Sequence, residues 1–207
     1  MSGFDITFEL FTLLLGLAMA ELLAGFARAF KLRSRIRNGR GGELEQVRIG
    51  WLVPLAAVVV ICHQASFWLF MYQMQDDLPL HFLSLICLLA LIGGYYLVSA
   101  VVWPDEPEAW PDFDAYYMAH RRFIWLGVLA IGLCAELGRT VYGGAAFDEA
   151  LEATHPLVPY VDFVDDVGSL ALLALPFMRS VRWALALLVV LVAHFVVLAA
   201  ASPVIPM

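Results

Sequence analysis

Apolar residues are gathered into six stretches along this chain, with short polar breaks between them. The stretches lie at about 4–28, 50–72, 80–103, 122–142, 158–178 and 183–203. Each comes close to the roughly 20 residues that carry an α-helix across a hydrocarbon core of about 30 Å. Since backbone N–H and C=O groups find no partner in lipid, such stretches are expected to be helical. The pattern predicts an all-α, polytopic integral membrane protein, a single domain over residues 1–207 built as a bundle of six transmembrane helices.

The composition agrees with this class and excludes two others. Hydrophobic residues make up 62% of the chain and charged residues only 15%, against about 25% charged residues in an ordinary soluble domain. A soluble globular domain and a disordered chain are therefore excluded. The breaks are too short to hold a separate catalytic domain, and no glycine-rich phosphate loop, GxSxG or HExxH motif is present. No feature of the sequence nominates an enzyme.

The basic residues lie almost entirely in alternate breaks. Eleven of the 12 are Arg28, Lys31, Arg33, Arg35, Arg37, Arg40, Arg48, Arg121, Arg122, Arg179 and Arg182. Six spans place all of them on one face of the membrane, and loops rich in Lys and Arg stay in the cytoplasm. We therefore expect a cytoplasmic basic loop at 29–49, a cytoplasmic segment at 104–121, and both termini outside. The expected location is the bacterial cytoplasmic membrane.

The basic loop at 29–49 has two interpretations. It is the topology signal alone, or it also contacts anionic lipid headgroups. A nucleic-acid partner is not expected, because nothing outside this loop supports one. The segment at 104–121 carries Trp110, Phe113, Tyr116 and Tyr117, a spacing that suits a short helix in the membrane interface. The alternative is that these aromatic residues dock a partner protein.

Small residues recur every fourth position along the first stretch, at Gly16, Ala20 and Ala24. Such spacing lets helix backbones approach closely. It predicts that the first helix packs centrally in the bundle, with a seam between two copies of the chain as the alternative.

Ionisable residues inside a membrane are costly and call for an explanation. The first stretch carries Glu9 and Glu21, and Glu21 shares a helical face with Arg28 seven residues later. The fourth stretch carries Glu136 and Arg139, whose spacing permits an intrahelical ion pair. Such pairs serve either to lock the bundle together or to form part of a functional site.

The fifth stretch is the most informative, because its uninterrupted apolar run, 167–178, is too short to cross a bilayer. The helix must draw Asp162, Asp165 and Asp166 into the outer leaflet, on one polar face. Three carboxylates there must share protons, pair with a cation or bind one. We expect a small-cation or proton site open to the outside, formed by Glu9, Glu136, Arg139, Asp162, Asp165 and Asp166. The alternative is that these acids are simply solvated.

Two histidines lie near the middle of apolar stretches, His63 in the second and His194 in the sixth. As a pair they are weak candidates for the axial ligands of a b-type haem. His63, with Glu21, is also a candidate proton relay, and a hydrogen-bonded core histidine is the plainer interpretation of each. Apart from these two histidines, nothing in the sequence indicates a cofactor, and none is expected.

Three hypotheses follow for the function. The first is a cation- or proton-linked transporter or channel-like protein that uses the acidic outer site. The second is a non-catalytic membrane subunit or scaffold that docks a protein partner or forms an oligomer. The third is a haem-binding redox subunit.

Overall fold

The computed structural model describes residues 3–38, 47–74, 81–106, 110–142 and 158–201. Six α-helices are present in these ranges, together with one 3-10 turn at Leu175–Phe177. The α-helices are α1 (Gly3–Arg37), α2 (Leu52–Gln73), α3 (Phe82–Val102), α4 (Phe113–Tyr142), α5 (Val158–Ala174) and α6 (Val181–Ala201). No strand occurs among the described residues, apart from one isolated bridge between Arg48 and Asp112.

The all-α class is confirmed, and so is its membrane character in part. Five helices, α1 to α4 and α6, are long and apolar enough to cross a membrane. The sixth, α5, has 17 residues. Helices α2, α3 and α6 begin and end within two residues of the predicted stretches. The six-span count and the sides on which the termini lie remain predictions.

Most of the basic residues lie at or near helix ends, and these helix ends meet at one end of the bundle, which we call the basic end. Leu52, at the start of α2, donates its N–H to the Asp114 carboxylate in the first turn of α4, at 3.1 Å. The Tyr116 hydroxyl donates to the carbonyl oxygen of Val101 in the last turn of α3, at 2.8 Å. One buried cluster joins these ends to the last turns of α1, the 3-10 turn and the start of α6; it includes Leu32, Val47, Trp103, Phe113, Leu175 and Ala184. The structure thus gathers the basic segments on one side, as alternating helix directions require.

Asp114 caps α2 from another helix. Trp51, which precedes α2, makes no side-chain cap hydrogen bond, so the first N–H groups of α2 lack a local partner. The Asp114 carboxylate supplies one of them and adds a negative charge at the positive end of the α2 dipole. Gly50 makes this possible, because a Cβ at that position would collide with the carboxylate.

The aromatic segment differs from the expectation of a short separate helix. Phe113, Tyr116 and Tyr117 belong to the first turns of α4, which runs without a break to Tyr142. Nothing between them and the apolar stretch breaks a helix, since Arg121 and Arg122 are good helix formers. All three aromatic side chains are buried against the ends of α1 and α3, so they pack inside the bundle.

Helix α1 extends beyond the expected stretch. It continues nine residues past Arg28, to Arg37, so the first part of the expected basic loop is helical. At 35 residues the helix is about 52 Å long.

Helix α5 ends early because of a proline. Pro176 has no N–H to donate and disfavours the α conformation of the residue before it. The α-helix stops at Ala174, and the chain continues as the 3-10 turn to Phe177. The helix covers about 25 Å and the turn adds about 6 Å.

Two of the three small residues expected at the packing face of α1, Gly16 and Ala20, lie outside it. Helix α1 packs on α2 and α3, through a buried stripe formed by Phe11, Leu15, Ala18 and Leu22. Gly16 and Ala20 are exposed, and nothing lies within 4 Å of a Cβ built on Gly16. The close approach expected within the bundle therefore uses other positions, and the seam between two copies stays a prediction.

Candidate functional site

A polar cavity of about 190 Å³ lies between α2, α5 and α6. Its polar lining consists of His63, Ser66, Asp165, Ser169 and His194, and leucine, valine and phenylalanine side chains complete the wall. The volume is sufficient for several water molecules. His63 lies about 16 Å along α2 from its start at the basic end, and His194 lies about 20 Å along α6. The cavity is therefore near the middle of the bundle, where ionisable groups usually have a function.

The hydrogen-bond partner of His194 determines which ring nitrogen carries a hydrogen. Its Nδ1 lies 3.0 Å from the backbone carbonyl oxygen of Val164 on α5. A carbonyl oxygen only accepts, so Nδ1 must donate. Nε2 then has a free lone pair in the neutral ring, and it faces Asp165 Oδ1 at 3.7 Å. The His194 side chain is only 9% exposed, whereas that of Asp165 is 64% exposed.

Gly168 makes room for this imidazole on α5. A Cβ at Gly168 would lie 2.6 Å from His194 Nδ1 and 2.7 Å from Cε1, closer than real Cβ contacts allow. The glycine stands one helical turn after Val164 and Asp165, so the ring lies flat against the backbone between its two partners. Val164, Asp165 and Gly168 thus form the surface of α5 against which the His194 ring packs.

His63 forms the opposite wall of the cavity. Its Nδ1 lies 2.7 Å from the hydroxyl oxygen of Tyr95 on α3, and Tyr95 is fully buried. A Cβ built on Gly132 of α4 would lie 3.9 Å from His63 Nε2, in ordinary contact. His63 therefore binds to α3 and lies near α4 while it lines a cavity between α2, α5 and α6.

The neighbouring Gln64 side chain contacts α3 and not the cavity. Its side-chain amide donates to the Ser99 hydroxyl at 2.8 Å, and the residue is fully buried. It does not line the cavity, so it does not extend the polar surface from His63.

The arrangement does not favour the haem hypothesis. Cofactor-sized pockets usually have volumes of about 300–1,000 Å³, and this cavity has about 190 Å³. Among the described residues, no group of three or more His, Cys, Asp and Glu side chains is placed to hold a metal ion. The two histidines share one cavity, as the hypothesis requires, but that cavity is smaller than the pockets that usually hold a cofactor.

Two ion pairs account for four of the expected intramembrane charges. Arg139 binds Glu136 through Nη2 and Nε at 2.6 and 3.0 Å, one turn apart on α4. Arg28 binds Glu21 at 3.0 Å, two turns apart on α1. The spacing of each pair in the sequence anticipates these contacts. Glu21 lies on α1, away from the cavity lining.

Of the other expected acids whose side chains are described, only Asp165 lines the cavity. Asp166 is exposed outside its lining. Glu9 is exposed on α1, whose main contacts are with α2 and α3. Asp162 lies in α5, but its side chain is outside the described residues. Among the described side chains, the contacts join Glu136 to Arg139 and Asp165 to His194, which is not one of the six expected residues. The six-residue site stays a prediction.

Sequence reasoning had placed Asp165 and His194 in two different hypotheses. No spacing rule links positions on different helices, so their contact was not foreseen. Tyr95 and Ser66 were missed because single polar residues in apolar stretches are common. Gly168 carried a signal, since a glycine between aspartates and an apolar run suggests a close approach of another helix.

Comparisons with protein-family models, curated proteins and solved structures find no match for this chain.

Proposed function

We propose that this chain is a proton-linked membrane transporter or channel-like protein, whose proton-binding group is the Asp165–His194 pair in the cavity between α2, α5 and α6. The observation that carries the proposal is the placement of a histidine lone pair opposite a carboxylate, in the lining of a cavity about halfway along an apolar bundle. His63 is the second protonatable group in the cavity wall.

The chemistry of the pair favours a proton as its ligand. With a neutral ring and an ionised carboxylate, two acceptors face each other and a net charge remains inside the membrane. One added proton removes both costs, either as a carboxylic acid that donates to Nε2 or as an imidazolium beside a carboxylate. In either form the added proton lies between Asp165 Oδ1 and His194 Nε2, the two atoms that face each other at 3.7 Å. A small metal cation would need further carboxylate or carbonyl ligands, which the described cavity lining does not provide.

Asp162 and the Glu136–Arg139 pair are proposed as the outer approach to the Asp165–His194 pair. Asp162 precedes Asp165 by three residues on α5, toward the end of the bundle away from the basic end. The Glu136–Arg139 pair lies on α4, which also contacts α5. Glu9 and Asp166 do not line the cavity, and we assign them no part in the site.

The test is proton flux in proteoliposomes that contain the purified protein and an internal pH-sensitive dye. With an imposed potassium diffusion potential, the wild type is expected to acidify or alkalinise the lumen according to the sign of the potential. Asp165→Asn and His194→Gln are each expected to reduce the rate at least tenfold. Asp166→Asn is the matched control, because it removes a neighbouring carboxylate that does not line the cavity. Wild-type flux no higher than in empty vesicles, or equal loss in the Asp166→Asn control, would contradict the proposal.

A scaffold subunit is the second candidate, and the internal ion pairs favour it. Both Arg28 and Arg139 are bound by a glutamate on the same helix. Such pairs neutralise the charge of each arginine but do not form a path for protons across the bundle. A scaffold predicts normal loading into vesicles, no flux, and a co-purifying partner protein. Neutralising Glu136 or Arg139 would then reduce the yield of folded protein. No effect on transport would be seen, because the wild type itself would show none.

A further inference from the structure

The last ten residues of α1, Arg28–Arg37, form a basic helical extension at the basic end of the bundle. Helix α1 is about 52 Å long, and the hydrocarbon core of a bilayer is about 30 Å thick. A large part of the helix must therefore lie in the headgroup region or beyond it. We call the segment Arg28–Arg37 the α1 extension.

The extension is fixed to the bundle along one side. Leu32 is 7% exposed and belongs to the buried cluster that contains Val47, Trp103 and Phe113. Ile36, one turn later, is partly buried against the same cluster. The helix therefore cannot turn about its axis, and the other side chains have fixed directions.

Four cations project from the two flanks of this buried stripe. Lys31 and Arg35 are one turn apart on one flank, and Arg33 and Arg37 are one turn apart on the other. All four side chains are exposed. Within the described residues none of the four takes part in an ion pair, in contrast to Arg28, which binds Glu21.

Exposed aromatic side chains mark the same level of the bundle. Phe30 is 76% exposed on the extension, Trp51 is 67% exposed just before α2, and Trp183 is 67% exposed in the first turn of α6. Large aromatic residues concentrate where the hydrocarbon region meets the headgroups. Their presence beside four fixed cations indicates that the cations lie at headgroup depth.

We propose that the α1 extension is a binding surface for the phosphate groups of anionic phospholipids in the leaflet at the basic end. Guanidinium groups bind phosphate oxygens through paired hydrogen bonds, and three of the four cations are arginines. An exposed phenylalanine among the cations suits a lipid surface, because aromatic rings concentrate where the hydrocarbon region meets the headgroups. The proposal does not depend on proton transport.

The test measures which lipids stay bound to the purified protein. The chain is solubilised from bilayers of equal parts phosphatidylcholine and phosphatidylglycerol, and retained lipids are counted by native mass spectrometry. The wild type is expected to retain phosphatidylglycerol at least fivefold over phosphatidylcholine. The variant Lys31→Gln, Arg33→Gln, Arg35→Gln, Arg37→Gln is expected to show a ratio near one.

The control variant removes four exposed charges from separate segments at the same end, with Arg48→Gln, Arg122→Gln, Arg179→Gln and Arg182→Gln. It is expected to keep at least half of the wild-type preference, and thermal unfolding verifies that each variant is folded. Equal loss in both variants would mean that only total charge matters, and would overturn the proposal. Absence of any preference in the wild type would also overturn it, as would displacement of the lipid by equimolar inorganic phosphate or by RNA.

Discussion

The hydrogen on His194 is fixed by one neighbour. Because the Val164 carbonyl oxygen accepts from Nδ1 at 3.0 Å, the opposite nitrogen is left to face the Asp165 carboxylate. A hydrogen bond from Nδ1 to a backbone carbonyl oxygen is a common way of setting the tautomer of a histidine, and it determines which nitrogen remains for a second partner. At the scale of single residues, therefore, the functional interpretation rests on a backbone oxygen as much as on the two titratable groups.

Gly168 is the residue on which this geometry depends. Gly168→Ala is expected to push the His194 ring from α5, because the new Cβ would lie 2.6 Å from Nδ1. Overpacking of this kind typically costs about 1–3 kcal/mol. Thermal unfolding in detergent is expected to show a lower midpoint than for the wild type.

Gly93→Ala in α3 is the matched control, since nothing lies within 4 Å of its Cβ. It is expected to leave the midpoint unchanged or to raise it, because alanine favours a helix by up to about 1 kcal/mol relative to glycine. If the two variants have equal stability, the proposed packing of His194 on α5 is wrong.

At the scale of the elements, α5 is the helix that decides the topology. Its 17 helical residues fall below the usual length of a span, and only the added 3-10 turn brings it to about 31 Å. We expect α5 and this turn to cross the membrane together, because their far end joins the buried cluster at the basic end through Leu175.

Single cysteines at the two ends of this segment test the crossing. In a chain with its native cysteines replaced by serine, Tyr160→Cys and Ser180→Cys are expected to react with a membrane-impermeant thiol reagent from opposite sides of the vesicle. Tyr160 is 71% exposed, and Ser180 is exposed, so both sites are accessible in the bundle. Labelling of both positions from the same side would show that α5 does not cross, and that the six-span arrangement is wrong.

Most of the helices could be predicted from the sequence, whereas their ends depended on contacts. Helices α2, α3 and α6 follow the apolar runs, because lipid forces apolar residues into helices of nearly fixed length. Helix α4 begins nine residues early because Phe113, Tyr116 and Tyr117 find buried positions against α1 and α3. Hydropathy could not show this, since the same aromatic residues suit a membrane interface equally well.

At the scale of the whole molecule, the bundle has a charged end, a polar middle and an apolar surface. Alternating helix directions bring the basic segments to one end, and the exposed Phe30, Trp51 and Trp183 lie with them. The cavity between α2, α5 and α6 lies about 16–20 Å from that end. The charge pattern of the sequence predicted the first feature. The second required the fold, because residues from the second, fifth and sixth stretches meet there.

The most direct test of the central claim is to locate the proton of the Asp165–His194 pair. Nuclear magnetic resonance of bilayer-reconstituted protein, with ¹³C-labelled aspartate and ¹⁵N-labelled histidine, reports the protonation of both groups, and Asp165→Asn and His194→Gln assign their signals. We predict that one proton, in addition to the hydrogen on Nδ1, lies between Asp165 Oδ1 and His194 Nε2, so that replacing either residue changes the signal of the other. Signals that show no such proton, and that stay unchanged when the partner residue is replaced, would contradict the account.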